Sequence, residues 1–250
     1  MRRQTERIIS LKLGRISRYC TALSRYHKSN GFGIHSPFAF NFVLNVLRER
    51  LPYYSYSDID ADRHRLIRSL RFRRVRHQRI ISSKNAKMLF RVANYFNPQC
   101  IMQIGTNYGM SGRTLLRVSS SSQLYLFEPM IAQLPVASET LAQCGKRVHT
   151  FTSLEDAYSQ YTEQLADRMP FLLVNSLSAD DVQSVCRIVD EVVARNGVVV
   201  MRNLTSLPEM QHMWNYAIKA AAYGMTFSNG KIAFYVANKK LPRQDFMLWF

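Results

Sequence analysis

No apolar run in this chain reaches the roughly 18 residues that a membrane-spanning helix needs. Cysteine is scarce. Cys20, Cys100, Cys144 and Cys186 lie far apart with no C-x-x-C pair, which excludes the usual zinc spacings and gives no reason to expect disulfides. A secretory leader is not expected either. The basic start (Arg2, Arg3, Arg7) leads into Ile8, Ile9 and Leu11, but Lys12 and Arg15 break the apolar stretch at once. A secretory signal needs a longer uninterrupted apolar core, so the expected location is cytoplasmic. There is no internal repeat and no low-complexity stretch. What remains is 250 residues, 47% apolar and 20% charged, enough for a real hydrophobic core.

Acidic residues are nearly absent from one region. Residues 1–91 hold 21 Lys or Arg against 5 Asp or Glu, whereas residues 92–250 hold 13 against 12. The formal net charge of +17 therefore sits almost wholly in the N-terminal third. The densest run is Arg63, Arg65, Arg68, Arg71, Arg73, Arg74, Arg76 and Arg79. Leu66, Ile67 and Leu70 lie between these arginines at helical spacing, which predicts one basic and one apolar face. Residues 2–19 read in the same way. Such a block would suit a polyanion, including nucleic acid, through Arg63 to Arg79. It would equally serve as a solvated helix face.

From residue 86 onward, apolar runs alternate with helical patterns. Strands are expected at 100–104, 124–127, 147–151, 170–174 and 197–201, with shorter ones at 225–227, 232–236 and 246–250. Helices are expected at 86–95, 110–118, 131–144, 154–165, 179–194 (capped by Ser178) and 207–223. Continuous apolar strands separated by helices indicate a parallel sheet covered on both faces, a doubly wound α/β fold. The expected division is a basic, mainly helical extension over 1–85 and an α/β domain over 86–250.

Ligands of open α/β sheets bind at the carboxyl ends of the strands, near the switch point. The first strand there ends in Gly105-Thr106-Asn107-Tyr108-Gly109, and Glu128 closes the second strand. Gly105 can turn sharply, and Gly109 would let backbone approach a ligand. An acid at the position of Glu128 can accept hydrogen bonds from both ribose hydroxyls of a nucleoside. The competing reading is that the glycines serve strand–helix packing and Glu128 is a solvated strand end. Asn107 stands where a dinucleotide fingerprint has its middle glycine, so close pyrophosphate contact is disfavoured. S-adenosylmethionine, an adenosine without phosphate, suits this loop better.

The segment IMQIGTNYGMSG (101–112), Glu128 and the strand order resemble class I S-adenosylmethionine-dependent methyltransferases. Gly33-Ile34-His35-Ser36-Pro37-Phe38, residues 89–96 and the aromatic end 246–250 resemble a small bacterial subgroup with an N-terminal G-x-H-S-P-F motif. The resemblance runs from about residue 25 to 250. It implies a Rossmann-like, seven-stranded sheet with S-adenosylmethionine over the first two strands' ends, and an unknown methyl acceptor. The cofactor-binding residues it implies are Gln103, Gly105, Thr106, Asn107, Tyr108, Gly109, Glu128 and Asn175. No catalytic residue is assigned.

The chain departs from the family where acids are usual. Gln103 replaces the acid of the first strand, and an amide accepts a hydrogen bond without the charge attraction to an ammonium. Asn175 ends the fourth strand, and Arg202 and Asn203 end the fifth, where related catechol-type O-methyltransferases hold a divalent metal with acids. Hard cations want carboxylates, so no metal is expected and the obvious general base is missing. Methyl transfer needs neither, because the sulfonium is already activated and positioning can suffice. The expected function is metal-independent methyl transfer. The alternative is a degenerate relative acting as a binding or scaffold protein, with nucleic acid as a partner of the basic third. A homo-oligomer is left open. His35, His149, His212, Asp180, Asp181 and the cluster Tyr53, Tyr54, Tyr56 are expected to be structural, although the tyrosines could stack on bases.

Overall fold

The computed structural model describes residues 25–75 and 80–250. The expected helix over 2–19, Cys20, Arg76 and Arg79 lie outside the described residues. The described residues divide into two compact units, one within Met1–Glu49 together with Met247–Phe250 and the other within Arg50–Phe246.

In the first unit, the G-x-H-S-P-F motif is a helix start. Ser36 Oγ accepts from Ala39 N at 3.3 Å, and Pro37 takes the first turn of α1 (Pro37–Phe42), where its missing N–H costs nothing. The helix widens into a π turn over Val43–Leu47. Phe38 and Phe42 stack at 5.8 Å. His35 is exposed. Trp249 N donates to Ser29 Oγ at 2.6 Å, which ties the chain's end to this unit.

The larger unit carries one sheet in the order β3-β2-β1-β4-β5-β7-β6-β8. The strands are β1 (Cys100–Ile104), β2 (Gln123–Phe127), β3 (Val148–Phe151), β4 (Phe171–Val174), β5 (Val198–Arg202), β6 (Met225–Ser228), β7 (Ile232–Val236) and β8 (Gln244–Met247). β1 to β5 are mutually parallel, and β7 runs antiparallel to β5 and β6. The sheet thus has eight strands, not the seven that the resemblance implied. The additional strand is β8 at the edge, where Thr226 Oγ1 donates to Asp245 Oδ1 at 2.7 Å and Phe227 stacks on Phe246 at 5.2 Å. Its burial alternates along the strand, as an edge strand allows, whereas β1, β4 and β5 are buried throughout.

The helices are α2 (Tyr56–Phe72), α3 (Ser83–Phe96), α4 (Met110–Leu115), α5 (Leu134–Leu141), α6 (Leu154–Leu165), α7 (Val182–Ala194) and α8 (Pro208–Ala220). Ser82 caps α3 by accepting from Asn85 N at 3.2 Å, and the helix stops at Asn97 in the left-handed region just before Pro98. The helix expected over 131–144 is broken. Tight turns flank α5 over Ile131–Gln133 and Ala142–Arg147, the latter holding Gly145 at φ 60. α7 starts later than expected, because Ser178 and Asp181 bond each other (Ser178 Oγ to Asp181 Oδ2 2.6 Å; Asp181 N to Ser178 Oγ 3.3 Å) and form the entering turn.

α2 carries the basic run, but the helix begins at Tyr56 and ends at Phe72, with Arg74 in the left-handed region. Several of its charges are used internally. Arg63 Nε donates to Ile81 O at 2.9 Å, and Arg73 pairs with Glu139 at 2.7 Å. Arg68 and Arg71 are exposed. The helix is pinned to α4 by the buried Asp62, which bonds Arg113 Nε at 2.6 Å, Arg65 at 2.6 Å and Arg117. Burial of the Asp62 carboxyl raises its pKa, but the two buried-side arginines outweigh this and hold it below the usual carboxylate value. Tyr53, Tyr54 and Tyr56 all present edges to Phe90 of α3, at 5.8, 6.0 and 6.2 Å. His149 stacks on Tyr125 at 4.9 Å, and His212 is exposed on α8.

Candidate functional site

Strand register assembles the site. Ile104 of β1 stands beside Phe127 of β2 and Val174 of β4, and Val174 stands beside Met201 of β5. The next residue of each strand therefore falls on one row: Glu128, Gly105, Asn175 and Arg202. Backbone bonds close that row, from Gly105 N to Phe127 O at 2.8 Å and from Asn175 N to Ile104 O at 2.8 Å. The chain reverses its direction of travel across the sheet between β1 and β4. This is the switch point at which ligands of such sheets bind.

The glycine loop is built in the left-handed region. Gly105, Asn107, Tyr108 and Gly109 have φ of 78, 50, 57 and 82. Asn and Gly tolerate this conformation, whereas Tyr108 stores strain there. A Cβ at Gly105 would lie 2.8 Å from Ser176 N, so only glycine lets β1 pass the end of β4. A Cβ at Gly109 would meet Ala137 O of α5 at 2.8 Å. Helix packing thus already uses this glycine.

Glu128 is 1% exposed, and both its oxygens are engaged. Oε2 accepts from Thr106 N at 2.6 Å and Oε1 from Met130 N at 2.8 Å. The carboxylate therefore clamps the glycine loop onto the end of β2. Gln103 is fully buried. Its Nε2 donates to Gly105 O at 2.9 Å and Thr106 O at 3.1 Å, while Oε1 has no partner among the described residues. Thr106 Oγ1 is likewise buried and unpaired. Asn175 Nδ2 also donates to Gly105 O, at 2.8 Å.

The sequence marks Arg202 only as a departure from the family and Ser111 only as one residue of the segment 101–112, with no role of its own. The structure brings both to the centre. Arg202 Nη1 donates to Asn175 Oδ1 at 2.6 Å, Ser111 Oγ at 3.0 Å and Asn107 Oδ1 at 3.2 Å. Asn107 Oδ1 also accepts from Ile81 N at 3.1 Å. Burial pushes the Arg202 guanidinium down to about 9, which leaves it charged at neutral pH. Asn203, at φ 60, donates from Nδ2 to Asn175 O at 2.9 Å and holds the end of β5 against β4. The signals available beforehand were Arg202 closing the apolar run of β5 and Ser111 lying in the first turn after the glycine loop. Neither reveals that the two side chains meet.

This donor set can hold neutral or negative groups. Among the described residues, no group of three or more His, Cys, Asp or Glu side chains is placed to hold a metal ion, and no helix is long and apolar enough to cross a membrane. Asp180 is exposed and Asp181 serves the turn into α7; because the helix begins only at Val182, neither acid lies in its first turn, where both were expected to stabilise the helix dipole.

No protein-family model matches the chain, and no curated protein sequence matches it. Solved structures do. An O-methyltransferase from Bacillus cereus in complex with SAH aligns at TM-score 0.53 and 17% identity, over 77% of this chain and 96% of that one. The O-methyltransferase TomG from Streptomyces achromogenes, involved in tomaymycin synthesis and in complex with SAM, aligns at 0.52 and 15%, over 75% and 91%. A putative caffeoyl-CoA O-methyltransferase from Staphylococcus aureus aligns at 0.52 and 14%, over 72% and 97%. The chain has the Rossmann-like α/β fold of these O-methyltransferases.

Proposed function

We propose that this chain binds S-adenosylmethionine at the ends of β1 and β2 and transfers its methyl group to an acceptor without a metal ion. The observation that carries the reading is the row of Glu128, Gly105 and Asn175 at the switch point of a sheet shared with SAH- and SAM-complexed O-methyltransferases. The residues present fit the cofactor's parts. Each Glu128 oxygen spends one lone-pair position on a backbone N–H and keeps another for a ribose hydroxyl. Because Glu128 is buried, the cover over it has to move for a ribose to enter. Gln103 Oε1 and Thr106 Oγ1 are buried atoms in want of a partner, and the methionine ammonium is a donor. When bound, the cofactor supplies an activated methyl sulfonium. The protein's contribution is then orientation and water exclusion. Asn107, Ser111 and Asn175 offer amides and a hydroxyl but no carboxylate, and the Arg202 cation among them would repel a divalent metal.

Calorimetric titration with S-adenosylmethionine and S-adenosylhomocysteine, with and without magnesium, tests this. Micromolar binding that ignores magnesium is expected. Glu128→Gln retains one acceptor and should weaken binding, while Glu128→Ala should abolish it; thermal melts of both variants report whether the loop stays folded. No binding by the wild type at millimolar ligand would refute the reading and leave a folded scaffold.

A further inference from the structure

Arg202 is a cation without an anion. Its residue is 4% exposed, and no carboxylate pairs with it among the described residues. Its three hydrogen bonds all leave from Nη1 and end on neutral oxygens of Asn107, Ser111 and Asn175. The Nε and Nη2 groups donate to nothing among the described residues. This edge of a guanidinium is the two-donor fork that matches a carboxylate bidentately. Neutral oxygens fix the plane of the group but do not offset a buried charge, and a buried charge is costly unless paired. The acid nearest along the row does not supply the pairing, because Glu128 is committed to Thr106 N and Met130 N. Three neutral side chains from the glycine loop, α4 and β4 thus hold one nitrogen of Arg202 in place, and the opposite edge is left for something else.

We propose that the Nε–Nη2 edge of Arg202 binds a carboxylate, so that the ligand of this site brings the negative charge that β4 and β5 lack. The proposal rests on the cofactor reading above only for where the ligand comes from. The carboxylate is either the amino-acid tail of the cofactor or a group on the methyl acceptor. Asn107, Ser111 and Asn175 are positioning residues for it.

The test compares wild type with Arg202→Met, which removes the charge, and Arg202→Lys, which keeps the charge without the fork. The probes are S-adenosylmethionine, its decarboxylated form (which keeps the ammonium), and benzoate. If the carboxylate is the cofactor's, wild type should prefer S-adenosylmethionine over the decarboxylated form at least tenfold. Arg202→Met should then bind the two alike, and Arg202→Lys should lose at least threefold of the preference. If the carboxylate is the acceptor's, wild type should bind both nucleosides alike, and benzoate should raise the melting temperature of wild type loaded with S-adenosylhomocysteine but not of either variant. If no nucleoside binds, stabilisation of wild type alone by benzoate would uphold the carboxylate site and refute the cofactor reading. A preference unchanged in both variants, or no response of wild type to any carboxylate probe, would overturn the proposal. Should Arg202→Met fail to fold, Arg202→Lys decides by the same criterion.

Discussion

Removing the Asp62 carboxylate should strongly destabilise the larger unit. Its side chain is 2% exposed and bonds Arg113, Arg117 and Arg65, whose side chains are 10%, 21% and 61% exposed. The Arg65 pair contributes little, because solvent screens it. The Arg113 and Arg117 pairs are different. Asp62→Ala leaves Arg113 Nε buried and without its anion, and breaking a buried pair from one side costs about 3–5 kcal/mol. At roughly 2–4 °C per kcal/mol for a domain of this size, the melting temperature should fall by about 6–20 °C. The sign with pH follows from the lowered folded-state pKa of Asp62. A depressed carboxylate stabilises above its unfolded value of about 3.9 and loses that contribution as pH falls through the folded value. In urea titrations, the stability gap between wild type and Asp62→Asn should therefore hold at pH 7 and begin to narrow as pH falls below about 4. A loss below about 1 kcal/mol for Asp62→Ala at pH 7, or a gap that widens on acidification, would refute the assignment of this carboxylate as the pin between α2 and α4.

Two glycines in the left-handed region give a paired test of the close approach at the site. Gly230→Ala meets nothing within 4 Å at φ 86, so it should cost only the backbone penalty of about 1–2 kcal/mol. Gly105→Ala, at φ 78 and against Ser176, should cost clearly more by denaturant midpoint; equal costs would mean that β1 and β4 do not approach as described. For the basic helix, replacing the exposed Arg68 and Arg71 with serine should lower the salt slope of RNA binding by about 2 if that face contacts phosphates. An unchanged slope, or no RNA binding at low salt, would assign these arginines to solvation alone.

The parallel sheet was legible in the sequence because its strands are buried on both sides. Residues 100–104, 170–174 and 197–201 are apolar almost without interruption, and such runs need no partner information to be recognised. The helix start at Ser36-Pro37 was legible because serine followed by proline suits a cap and first turn; the start of α3 was set late, at 86 instead of Ser83, because the cap at Ser82 lies ahead of the apolar pattern. Strand β8 was harder to place, because an edge strand with alternating burial carries only half the apolar signal.

The candidate site divides along the same line. That a glycine loop and Glu128 lie at neighbouring strand ends is a local property of the sequence, set by where two apolar runs stop. What those groups do was decided by partners distant in the chain. Only folding brings Glu128 to Thr106 N across 22 positions, seats α5 against Gly109, and commits Arg63 and Arg73 of the basic run to Ile81 and Glu139. Arg202 is the clearest case. Its residue type argued only against a metal, whereas its meaning came from Asn107, 95 positions away, and from the burial that leaves its outer edge without an anion. A pattern along the chain reports local hydrogen bonds and faces; the cost of a buried charge depends on everything packed around it.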